Sequence, residues 1–495
     1  MSAASDGTPG HAYPGAAHDV VWRRLVCPPN YRNPEPRRRY HLVVIGAGPA
    51  GLVASMAAAS LGAQVALVER LAMGGDCLNV GCVPSKSLLE HGRRIATEDP
   101  DQRFAAAFDW LRAVRARSAA HDSVERYTAA GVDVFLGAAT FVDERTVRIG
   151  DRTLTARRVI VATGARPVLP PVAGLAESRP LTNETVFDLR ERPRRLAILG
   201  GGPLGCELAQ AFARIGVAVD LIEHAERLLP RETPEASRLV EAALRRSGVA
   251  VHLGVRVDRV ARHAGTVGIE AGSLKITADE LLVAAGRRAN TEDLNLAAVG
   301  VEVDAHGSIV VDHRLRTTNR RIFAAGDVCS AQQFTHVADA HARICVQNAL
   351  FLPTASAAKL VIPHCTYTDP EVAQVGATAA ELEERGTPFD VRRVRFGDLD
   401  RGKTQGDEDA FVEVLTERGG DRILGATIVG PDAGEQIAPL CIAMADGIGL
   451  ARFARTVLPY PTRAEYLRRL GDDYNRTRLT PGVRRVLGAW LKLLS

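Results

Sequence analysis

Residues 41–69 read HLVVIGAGPAGLVASMAAASLGAQVALVE, in which an apolar run leads into a glycine turn, an alanine-rich stretch and a second apolar run. This order predicts a buried parallel strand, a helix and a second strand, because strands buried on both faces carry continuous apolar runs. Gly46, Gly48 and Gly51 permit a tight turn and a close approach of the backbone to a pyrophosphate at the helix N-terminus. Glu69 ends the second strand, where a carboxylate suits a ribose 2′-hydroxyl. The stretch therefore predicts a Rossmann-like dinucleotide-binding unit.

The same pattern occurs a second time, at residues 196–223, which read LAILGGGPLGCELAQAFARIGVAVDLIE. Gly200, Gly202 and Gly205 take the positions of the first three glycines, and Glu223 takes that of the terminal glutamate. A lone glycine triplet is a weak signal, but here each triplet follows a strand and opens a helix. This shared context disfavours two glycine turns without a ligand, so the sequence predicts two dinucleotide sites.

Length and composition indicate a soluble globular protein of several domains. The 495 residues exceed what one hydrophobic core usually holds, and 46% hydrophobic and 24% charged residues are ordinary proportions. The net charge of +4 is spread along the chain, which does not indicate nucleic-acid binding. No apolar run reaches the ~18 residues of a membrane span, and the N-terminus lacks the pattern of a secretory signal. Because only one close pair occurs among eight cysteines, the predicted compartment is a reducing cytoplasm.

The motif GGDCLNVGCVPSK places Cys77 and Cys82 close together, with Lys86 shortly behind them. A cysteine pair alone is compatible with two buried structural thiols. The second glycine motif carries Glu207 one turn into a helix that should face a sheet. A buried carboxylate there is costly without a cation, unless it caps the helix N-terminus. Lys86 offers that cation in a chain that has few lysines.

Seven motifs, in this order, make the chain resemble the flavoprotein pyridine nucleotide-disulfide oxidoreductases over about residues 40–480. They are GAGPAG, GGDCLNVGCVPSK, VIVATGARP, GGGPLGCE, LLVAAGRRAN, RIFAAGDVC and YPTRAE. The resemblance implies an α/β fold with two Rossmann-like dinucleotide-binding domains, for FAD and NAD(P)H, and a C-terminal α+β dimerisation domain. The implied boundaries are 1–39 for an N-terminal tail and arm, 40–165 with 287–361 for the FAD-binding domain, 166–286 for the NAD(P)H-binding domain, 362–479 for the dimerisation domain and 480–495 for an amphipathic tail.

The resemblance also implies which residues hold each cofactor. Those expected at FAD are Gly46, Gly48, Gly51, Glu69, Thr163, Gly164, Gly326 and Asp327, with Asp327 at the flavin ribitol. Those expected at the nicotinamide dinucleotide are Gly200, Gly202, Gly205, Glu223 and Gly286. Glu223 favours NADH, because a carboxylate suits the ribose 2′-hydroxyl that NADH carries at this position. Arg227 and Arg231 lie near enough in sequence to leave NADPH as an alternative.

In the family that the chain resembles, the two cysteines form a redox-active disulfide. The resemblance makes Cys82 the sulfur that faces the flavin and Cys77 the sulfur that attacks an external substrate. Lys86 and Glu207 match the pair beside flavin N5. The implied reaction passes electrons from NAD(P)H through FAD to this disulfide and on to an acceptor.

The backbone around the pair must bring the two Cα atoms within roughly 7 Å, closer than a regular helix of that length allows. We expect Asn79 and Gly81 to achieve this with positive φ angles. Pro84 suits the first turn of a helix, and that helix N-terminus should stabilise a thiolate on Cys82 together with Lys86.

The C-terminal part departs from the disulfide-reducing members, in which a His and a Glu reach the partner subunit's cysteines across the dimer interface. Glu465 matches the Glu, but Tyr460 stands at the His position, and an unperturbed phenol of pKa about 10 is a poor acid-base group near neutral pH. In having a tyrosine at this position, the chain resembles the mercuric reductases. The chain nevertheless lacks their N-terminal CxxC domain and has no paired cysteines after Cys441.

Three functions follow as alternatives. One is an oxidoreductase that reduces an unidentified disulfide, metal or other acceptor. Another is a Hg(II) reductase that uses only Cys77 and Cys82. The third is a flavin and disulfide sensor of redox state or metals, with incidental turnover. No resident metal site is predicted.

The remaining expectations concern the two ends and some isolated residues. The first 20 or so residues should form a mobile tail, and residues 21–39 could form an ordered arm. The segment 480–495 has apolar side chains at helical spacing, which fits either packing in the dimer or peripheral membrane contact. His336 is either a catalytic base or part of a helix that approaches the flavin ring. Core packing is expected for Cys206, Cys329, Cys345 and Cys365.

Overall fold

Residues 13–95 and 97–494 are described by a computed structural model, which separates into two units. One unit comprises the described residues up to Glu226 together with Leu244–Ala358. The other comprises Arg227–Ala243 and the described residues from Lys359 onward. The first unit contains both glycine motifs and the cysteine pair.

The strands are short and are numbered in chain order. They are β1 Tyr40–Ile45, β2 Val65–Glu69, β3 Val132–Leu136, β4 Ala139–Asp143, β5 Thr146–Ile149, β6 Arg152–Val161, β7 Ala165–Pro167, β8 Arg195–Leu199, β9 Ala218–Ile222, β10 Val249–His252, β11 Arg259–His263, β12 Thr266–Ala271, β13 Leu274–Ala278, β14 Glu280–Val283, β15 Arg287–Ala289, β16 Ile322–Ala324, β17 Pro363–Thr366, β18 Glu371–Gly376, β19 Phe389–Arg395, β20 Phe411–Glu417 and β21 Ile423–Gly430.

The α-helices are numbered in the same way. They are α1 Ala16–Val26, α2 Pro49–Ser60, α3 Gly75–Asn79, α4 Cys82–Gly92, α5 Pro100–Ala119, α6 Val124–Ala129, α7 Pro203–Arg214, α8 Pro234–Arg246, α9 Thr335–Leu350, α10 Ala379–Glu384, α11 Asp400–Gln405, α12 Ala433–Gln436, α13 Ala438–Ala445, α14 Glu465–Thr477 and α15 Pro481–Leu493. Short 3-10 turns lie at Val186–Asp188, Glu292–Leu294, Leu296–Val299, Gly326–Val328, Ala357–Lys359, Phe396–Asp398 and Leu450–Arg455.

The first glycine motif lies in a seven-stranded sheet of order β3-β2-β1-β6-β5-β4, with β16 also paired to β6. Strands β1, β2, β3, β6 and β16 pair in parallel, and β4 and β5 add an antiparallel edge. Its central strand is buried along Leu42–Ile45, as expected for a strand covered on both faces. Because β16 joins from far along the chain, the sheet brings the RIFAAGDVC segment to the first glycine turn.

The second glycine motif repeats this local order in a four-stranded parallel sheet, β10-β9-β8-β14. Helices α2 and α7 each have 12 residues and a proline in the first turn, and each follows a glycine N-cap. A three-stranded antiparallel sheet, β11-β12-β13, and a two-stranded pair, β15-β7, complete the strands of this unit. The prediction of two Rossmann-like units is therefore confirmed.

The second unit is built on an antiparallel sheet of order β17-β18-β21-β20-β19. Its core includes Val412 and Ile428 from the sheet and Leu440 and Leu467 from helices α13 and α14. This mixed arrangement confirms the predicted α+β character of the C-terminal part.

The N-terminal region differs from its prediction. Positions 1–12 of the expected mobile tail lie outside the described residues, but the helix α1, which packs on α5, already begins at Ala16. Asp19 lies 2.6 Å from Arg115 and 3.2 Å from Arg112, two guanidinium groups that are buried. The prediction of a mobile tail from the Gly, Ala, Pro and Ser content fails for this helix, because the partners that order the helix lie about ninety residues away in sequence.

Candidate active site

The two cysteines of the GGDCLNVGCVPSK motif lie on consecutive short helices, Cys77 within α3 and Cys82 as the first residue of α4. Both are free thiols, and the Cys77 S–H donates to the Cys82 sulfur. On its other side, Cys82 Sγ lies 3.5 Å from the Thr335 hydroxyl at the start of α9. Sequence-distant segments therefore meet at the sulfur of Cys82.

The backbone reaches this geometry by a different route from the one expected. Gly81 has a φ of −139° and Asn79 is the last residue of α3, so neither adopts a positive φ. The helix instead breaks between them, and a new helix starts at Cys82. A Cβ on Gly81 would lie 2.8 Å from the Asp76 carbonyl oxygen, so the glycine is required by a close approach of the two helices. Pro84 lies in the first turn of α4, as predicted.

The electrostatic environment makes the two thiols unequal. The hydrogen bond from Cys77 is the main influence that lowers the pKa of Cys82, to about 6, and Lys86 lowers it further against an opposing desolvation by the surrounding protein. The same hydrogen bond, followed by burial, raises the pKa of Cys77 well above its ordinary value. At neutral pH, Cys82 is therefore the thiolate and Cys77 remains protonated.

This inequality predicts a pH profile for alkylation of the reduced protein. Iodoacetamide should modify Cys82 with a rate that rises as the pH passes through about 6 and is flat by neutral pH. An ordinary exposed thiol would keep gaining reactivity up to a pH of about 8.5. Peptide mass spectrometry after short pulses gives the rate at each sulfur. Faster labelling of Cys77 than of Cys82 at pH 7 would contradict the assignment.

Glu207 and Lys86 form an ion pair of 2.7 Å between α7 and α4. The Glu207 side chain is 3% exposed and that of Lys86 is 35% exposed, so the carboxylate is the buried partner. Glu207 lies within α7 behind the N-cap residue Gly202, and its carboxylate pairs with Lys86. The sequence argument that a sheet-facing carboxylate needs Lys86 is confirmed.

A second charged cluster lies next to Cys77. Arg287 donates to the carboxylate of Asp76, the residue before Cys77, and to the carbonyl of Ala165 at 2.7 Å. Asp327 lies 3.7 Å from the same guanidinium, and burial raises the pKa of Asp327 to about 6 although Arg287 opposes this. The cluster ties the helix of Cys77 to the AAGR and AAGD segments.

The glycines of both motifs occupy matching positions. Gly46 and Gly200 have φ angles of 103° and 115°, in the region that glycine tolerates. A Cβ on Gly51 would lie 1.7 Å from the Gly46 carbonyl oxygen, and one on Gly205 would lie 1.9 Å from that of Gly200. These residues permit the close packing of helix on turn that the motif requires.

The middle glycine of each motif borders a region that is almost free of protein atoms. A Cβ on Gly202 would meet no atom within 4 Å, and one on Gly48 would meet only the Cα of Gly75, at 3.8 Å. Open space beside a helix N-terminus is what a pyrophosphate needs. The backbone of both motifs therefore fits a dinucleotide.

The terminal glutamates are positioned alike. Glu69 accepts hydrogen bonds from the backbone N–H groups of Ala47 and Leu71, and Glu223 accepts them from Gly201 and Ala225. A cavity of about 380 Å³ opens beside Glu69 and is also lined by Gly46, Thr163 and Asn290. Its position between the first glycine turn and a buried carboxylate fits the adenosine half of FAD.

Other predicted cofactor residues lie at backbone turns. Gly164, Gly286 and Gly326 all have positive φ angles, and Thr163 donates to the Asn290 carbonyl at 2.7 Å. Arg227, considered as a contact to NADPH, donates to the carbonyl of Pro230 at 2.6 Å.

The two predicted residues of the C-terminal part lie in the second unit. The Tyr460 hydroxyl donates to the Asp400 carboxylate at 2.6 Å, which raises the pKa of Tyr460. The Glu465 carboxylate is buried and accepts hydrogen bonds from Arg469 at 3.0 and 3.1 Å. Within this subunit, the two side chains thus have separate partners.

Sequence reasoning missed the support that α1 gives to the cysteine loop. The Trp22 indole N–H donates to the Asn79 side-chain carbonyl at 2.8 Å, and Asn79 donates in turn to the carbonyls of Met73 and Gly75. The Arg115 guanidinium stacks 4.3 Å above the Trp22 ring. Asn79 was visible between the cysteines, but nothing local linked it to a tryptophan 57 residues earlier.

Trp22→Phe tests this support, since it keeps an aromatic ring for Arg115 and removes the indole N–H together with part of the buried ring. We expect a loss of about 1–2 kcal/mol in the free energy of unfolding by urea, because a buried amide oxygen loses its donor. Backbone hydrogen exchange of residues 73–79, followed by mass spectrometry, should become faster. Trp110→Phe, at a half-exposed ring, is the matched control and should change neither measurement. Unchanged exchange at 73–79 in Trp22→Phe would show that α1 does not support the loop.

Thr335 and Arg287 were also missed as neighbours of the cysteines. Arg287 did carry a signal, since it belongs to the LLVAAGRRAN motif of the resemblance, whereas Thr335 lies in none of the seven motifs. His336 is exposed at the start of α9 and stacks on Phe334, with ring centroids 5.3 Å apart.

The remaining cysteines contrast with Cys82. Cys206 and Cys345 are buried, and burial raises the pKa of both thiols. Cys329 and Cys365 are half-buried and pack against hydrophobic cores. No group of three His, Cys, Asp or Glu side chains with metal-binding geometry occurs in the part of the chain that the structure describes. Among the helices of residues 13–95 and 97–494, none has the length and apolarity that crossing a bilayer requires.

Comparison with known proteins gives the same order of domains along the chain as the sequence motifs predict. The family model Pyridine nucleotide-disulphide oxidoreductase matches residues 40–342, and the model of its dimerisation domain matches residues 362–470. A mercuric reductase of Streptomyces lividans is 36% identical over 450 residues, which cover 87% of this chain and 95% of that protein. Dihydrolipoyl dehydrogenase 3 of Haloarcula marismortui is 33% identical over 452 residues, 86% of this chain and 94% of that protein.

A similar solved structure is the Cu(II) complex of the HOCl-induced flavoprotein disulfide reductase RclA from Escherichia coli. It has a TM-score of 0.80 and 27% sequence identity, and the match covers 88% of this chain and 99% of that chain.

Proposed function

The chain belongs to the pyridine nucleotide-disulfide oxidoreductase family, and from this membership we propose that it is an NAD(P)H-dependent flavoprotein that reduces a thiophilic metal ion through Cys77 and Cys82. The observation that carries the proposal is the pair of unequal thiols beside Lys86 and Thr335. A fixed thiolate next to a protonated thiol is a product of disulfide reduction and a ligand set for a soft metal.

When bound, FAD and NAD(P)H would supply the hydride and electron-pair chemistry that reduces the disulfide. The first glycine motif, with Glu69 and Thr163, would hold the FAD adenosine, and Asp327 the ribitol. The second motif and Glu223 would hold the nicotinamide dinucleotide. Glu223 is buried, and its acidic side chain favours NADH over NADPH.

The protein controls the fate of the two sulfurs. When two electrons break the S–S bond, the Cys82 sulfur stays anionic because Cys77 and Thr335 hydrogen-bond to it and Lys86 lies nearby. Cys77 takes up one proton, which its raised pKa retains. The reduced pair therefore carries one negative charge, on the Cys82 sulfur, and one thiol proton, on Cys77.

The acceptor must then be one that reacts without a strong base. Attack by Cys77 on an external disulfide requires that its proton leave, and Tyr460 is a poor acceptor because its hydroxyl already donates to Asp400 and its pKa is raised. A soft metal ion binds thiolate directly and displaces the thiol proton as it binds the second sulfur. The similar mercuric reductase and the Tyr460 position both support Hg(II) as the first ion to test.

The domain boundaries that we propose follow the sheets: 40–165 with 287–361 for FAD, 166–286 for the nicotinamide dinucleotide and 362–479 for dimerisation. The dimerisation domain supports a homodimer. In that dimer we propose that Tyr460 and Glu465 act at the active site of the partner subunit.

An anaerobic titration with NADH, followed by an acceptor panel, tests the proposal. The purified protein should be yellow, and addition of NADH should give a two-electron-reduced form with long-wavelength absorption. Hg(II) in the presence of excess thiol should be reduced faster than lipoamide or glutathione disulfide. Faster turnover with either disulfide would overturn the metal assignment, and slow turnover with every acceptor would favour a sensor.

Replacement of Tyr460 by histidine is expected to shift this preference. Imidazole titrates near neutral pH, so Tyr460→His should raise lipoamide reduction at pH 7 by about 10²-fold. Tyr460→Phe is the control, because it removes the hydroxyl without adding a base, and should leave disulfide reduction low. Equal rates in the two variants would mean that a base at this position does not limit the reaction.

A further inference from the structure

The C-terminal helix α15 presents an apolar side to solvent. None of its residues is buried, and the exposed fractions are 71% for Val486, 60% for Trp490, 65% for Leu491 and 80% for Leu493. The helix is nevertheless defined by its own sequence, since the Thr480 hydroxyl caps the backbone N–H of Val483 and Pro481 begins the first turn. A formed helix with this surface calls for something to cover it.

Polar and apolar side chains lie on opposite sides of this helix. At 100° per residue, the apolar residues span an arc of about 160°. They are Val483, Val486, Leu487, Trp490, Leu491, Leu493 and Leu494. Arg484, Arg485 and Lys492 lie on the other side. The helix thus separates a broad apolar stripe from a basic one.

The charge of the segment is of one sign. After Asp473, the last acidic residue, no Asp or Glu follows, while the segment carries the cations Arg476, Arg478, Arg484, Arg485 and Lys492. A surface that covers the apolar stripe must therefore accept a local excess of positive charge. An anionic lipid headgroup layer over an apolar interior offers both complements at once.

A second copy of the chain is the competing occupant. The match to the dimerisation domain ends at residue 470, before α15 begins at Pro481. A two-fold contact between two copies of α15 could cover the apolar stripes, but it would leave the basic side chains of both helices outside the contact, with no acid from either helix to balance them. The charge pattern therefore favours lipid over a second copy.

We propose that α15 is a membrane-docking helix, which lies in the interface of an anionic phospholipid bilayer with its apolar stripe inserted and its basic side chains at the headgroups. The catalytic protein would then work at the membrane surface, bound peripherally and reversibly. In a homodimer two such helices would act together and strengthen the binding. The proposal is independent of the identity of the acceptor.

The test uses the full-length protein with its cofactor and measures binding without turnover. The protein is sedimented with vesicles of phosphatidylcholine alone or of phosphatidylcholine mixed with phosphatidylglycerol. We expect binding to the mixed vesicles, weakened by added salt, and at least about 30-fold weaker binding to phosphatidylcholine alone. Trp490 fluorescence should shift to shorter wavelength and be quenched by doxyl-labelled lipid, since only a ring in the bilayer meets the label.

Two variants address the two sides of the helix. Arg484→Gln with Arg485→Gln should weaken binding to the mixed vesicles about 30-fold, because each basic side chain near the surface adds roughly an equal increment. Val486→Ser with Trp490→Ser should weaken binding by at least as much, since it removes the inserted stripe. Arg385→Gln and Leu61→Ser, at exposed positions elsewhere, are the matched controls and should bind like the unchanged protein.

Each other outcome overturns the proposal. Equal binding to both vesicle types would show that anionic lipid is not recognised, and full binding by the arginine variant would show the same. No vesicle binding together with a change from dimer to monomer in the Val486 and Trp490 variant would assign the stripe to a second copy. Thermal unfolding of every variant shows whether a loss of binding comes from a loss of fold, and the lipid quenching of Trp490 in the unchanged protein does not depend on any variant.

Discussion

Cys82→Ser is expected to abolish acceptor reduction and to remove the long-wavelength absorption of the two-electron-reduced protein. That absorption requires a thiolate beside the flavin, and Cys82 is the sulfur whose pKa lies at about 6. Serine keeps the size of the side chain but has no sulfur to accept electrons. Turnover should therefore fall by about 10³-fold or more, whereas the free energy of unfolding should change little.

Cys77→Ser is the matched control because it separates the two roles. This variant also loses turnover, since no disulfide can form, but it retains Cys82. It should keep the long-wavelength absorption once the pH is high enough to ionise Cys82, because loss of the Cys77 hydrogen bond removes the main influence that lowers the pKa of that sulfur. The apparent pKa of the band should rise relative to that of the unchanged protein. A band that persists in Cys82→Ser and disappears in Cys77→Ser would reverse the two assignments.

The parts of this site that follow a local pattern were predictable from sequence. The two glycine motifs fixed their own strands, turns and helices, because a tight turn and a close helix contact each require glycine at a set position. The third glycines illustrate this, because a Cβ on Gly51 or on Gly205 would clash with the carbonyl of Gly46 or Gly200 at nearly the same distance. The partnership of Glu207 with Lys86 was also accessible, since the cost of burying a carboxylate points to a cation.

The parts that depend on distant contacts were not predictable. The backbone between the cysteines was expected to turn through positive φ, whereas a helix break with a close approach of Gly81 to Asp76 gives the same proximity. The first residues of α1 belong to the stretch that its Gly, Ala, Pro and Ser content predicts as a mobile tail. Its order comes from Arg112 and Arg115, and no local rule connects them to Asp19.

Lys86→Met is expected to destabilise the protein and to raise the pKa of Cys82 at the same time. The substitution removes a positive charge 2.7 Å from a carboxylate that is 3% exposed. Breaking a fully buried pair costs about 3–5 kcal/mol, and the 35% exposure of Lys86 reduces this to about 1–3 kcal/mol. Urea unfolding measures the loss of stability, and the alkylation profile of Cys82 measures the shift in pKa.

Glu207→Gln separates the effect on stability from the effect on the pKa of Cys82, because it should shift that pKa in the direction opposite to Lys86→Met. Lys86 lowers the pKa of Cys82 and Glu207 raises it. Glu207→Gln should therefore move the alkylation midpoint to lower pH, and Lys86→Met should move it to higher pH. The loss of stability in Glu207→Gln should be the smaller one, since the charge that it leaves uncompensated belongs to Lys86, which retains contact with solvent.

The double variant Lys86→Met with Glu207→Gln completes the cycle. If the two groups act on Cys82 as an opposed pair, the alkylation midpoint should return close to that of the unchanged protein. Stability should recover relative to Lys86→Met, because the buried charge is gone together with its partner. Shifts of the same sign in both single variants would mean that each substitution alters the position of α4 and not the charge beside Cys82, and the electrostatic account of the thiolate would then fail.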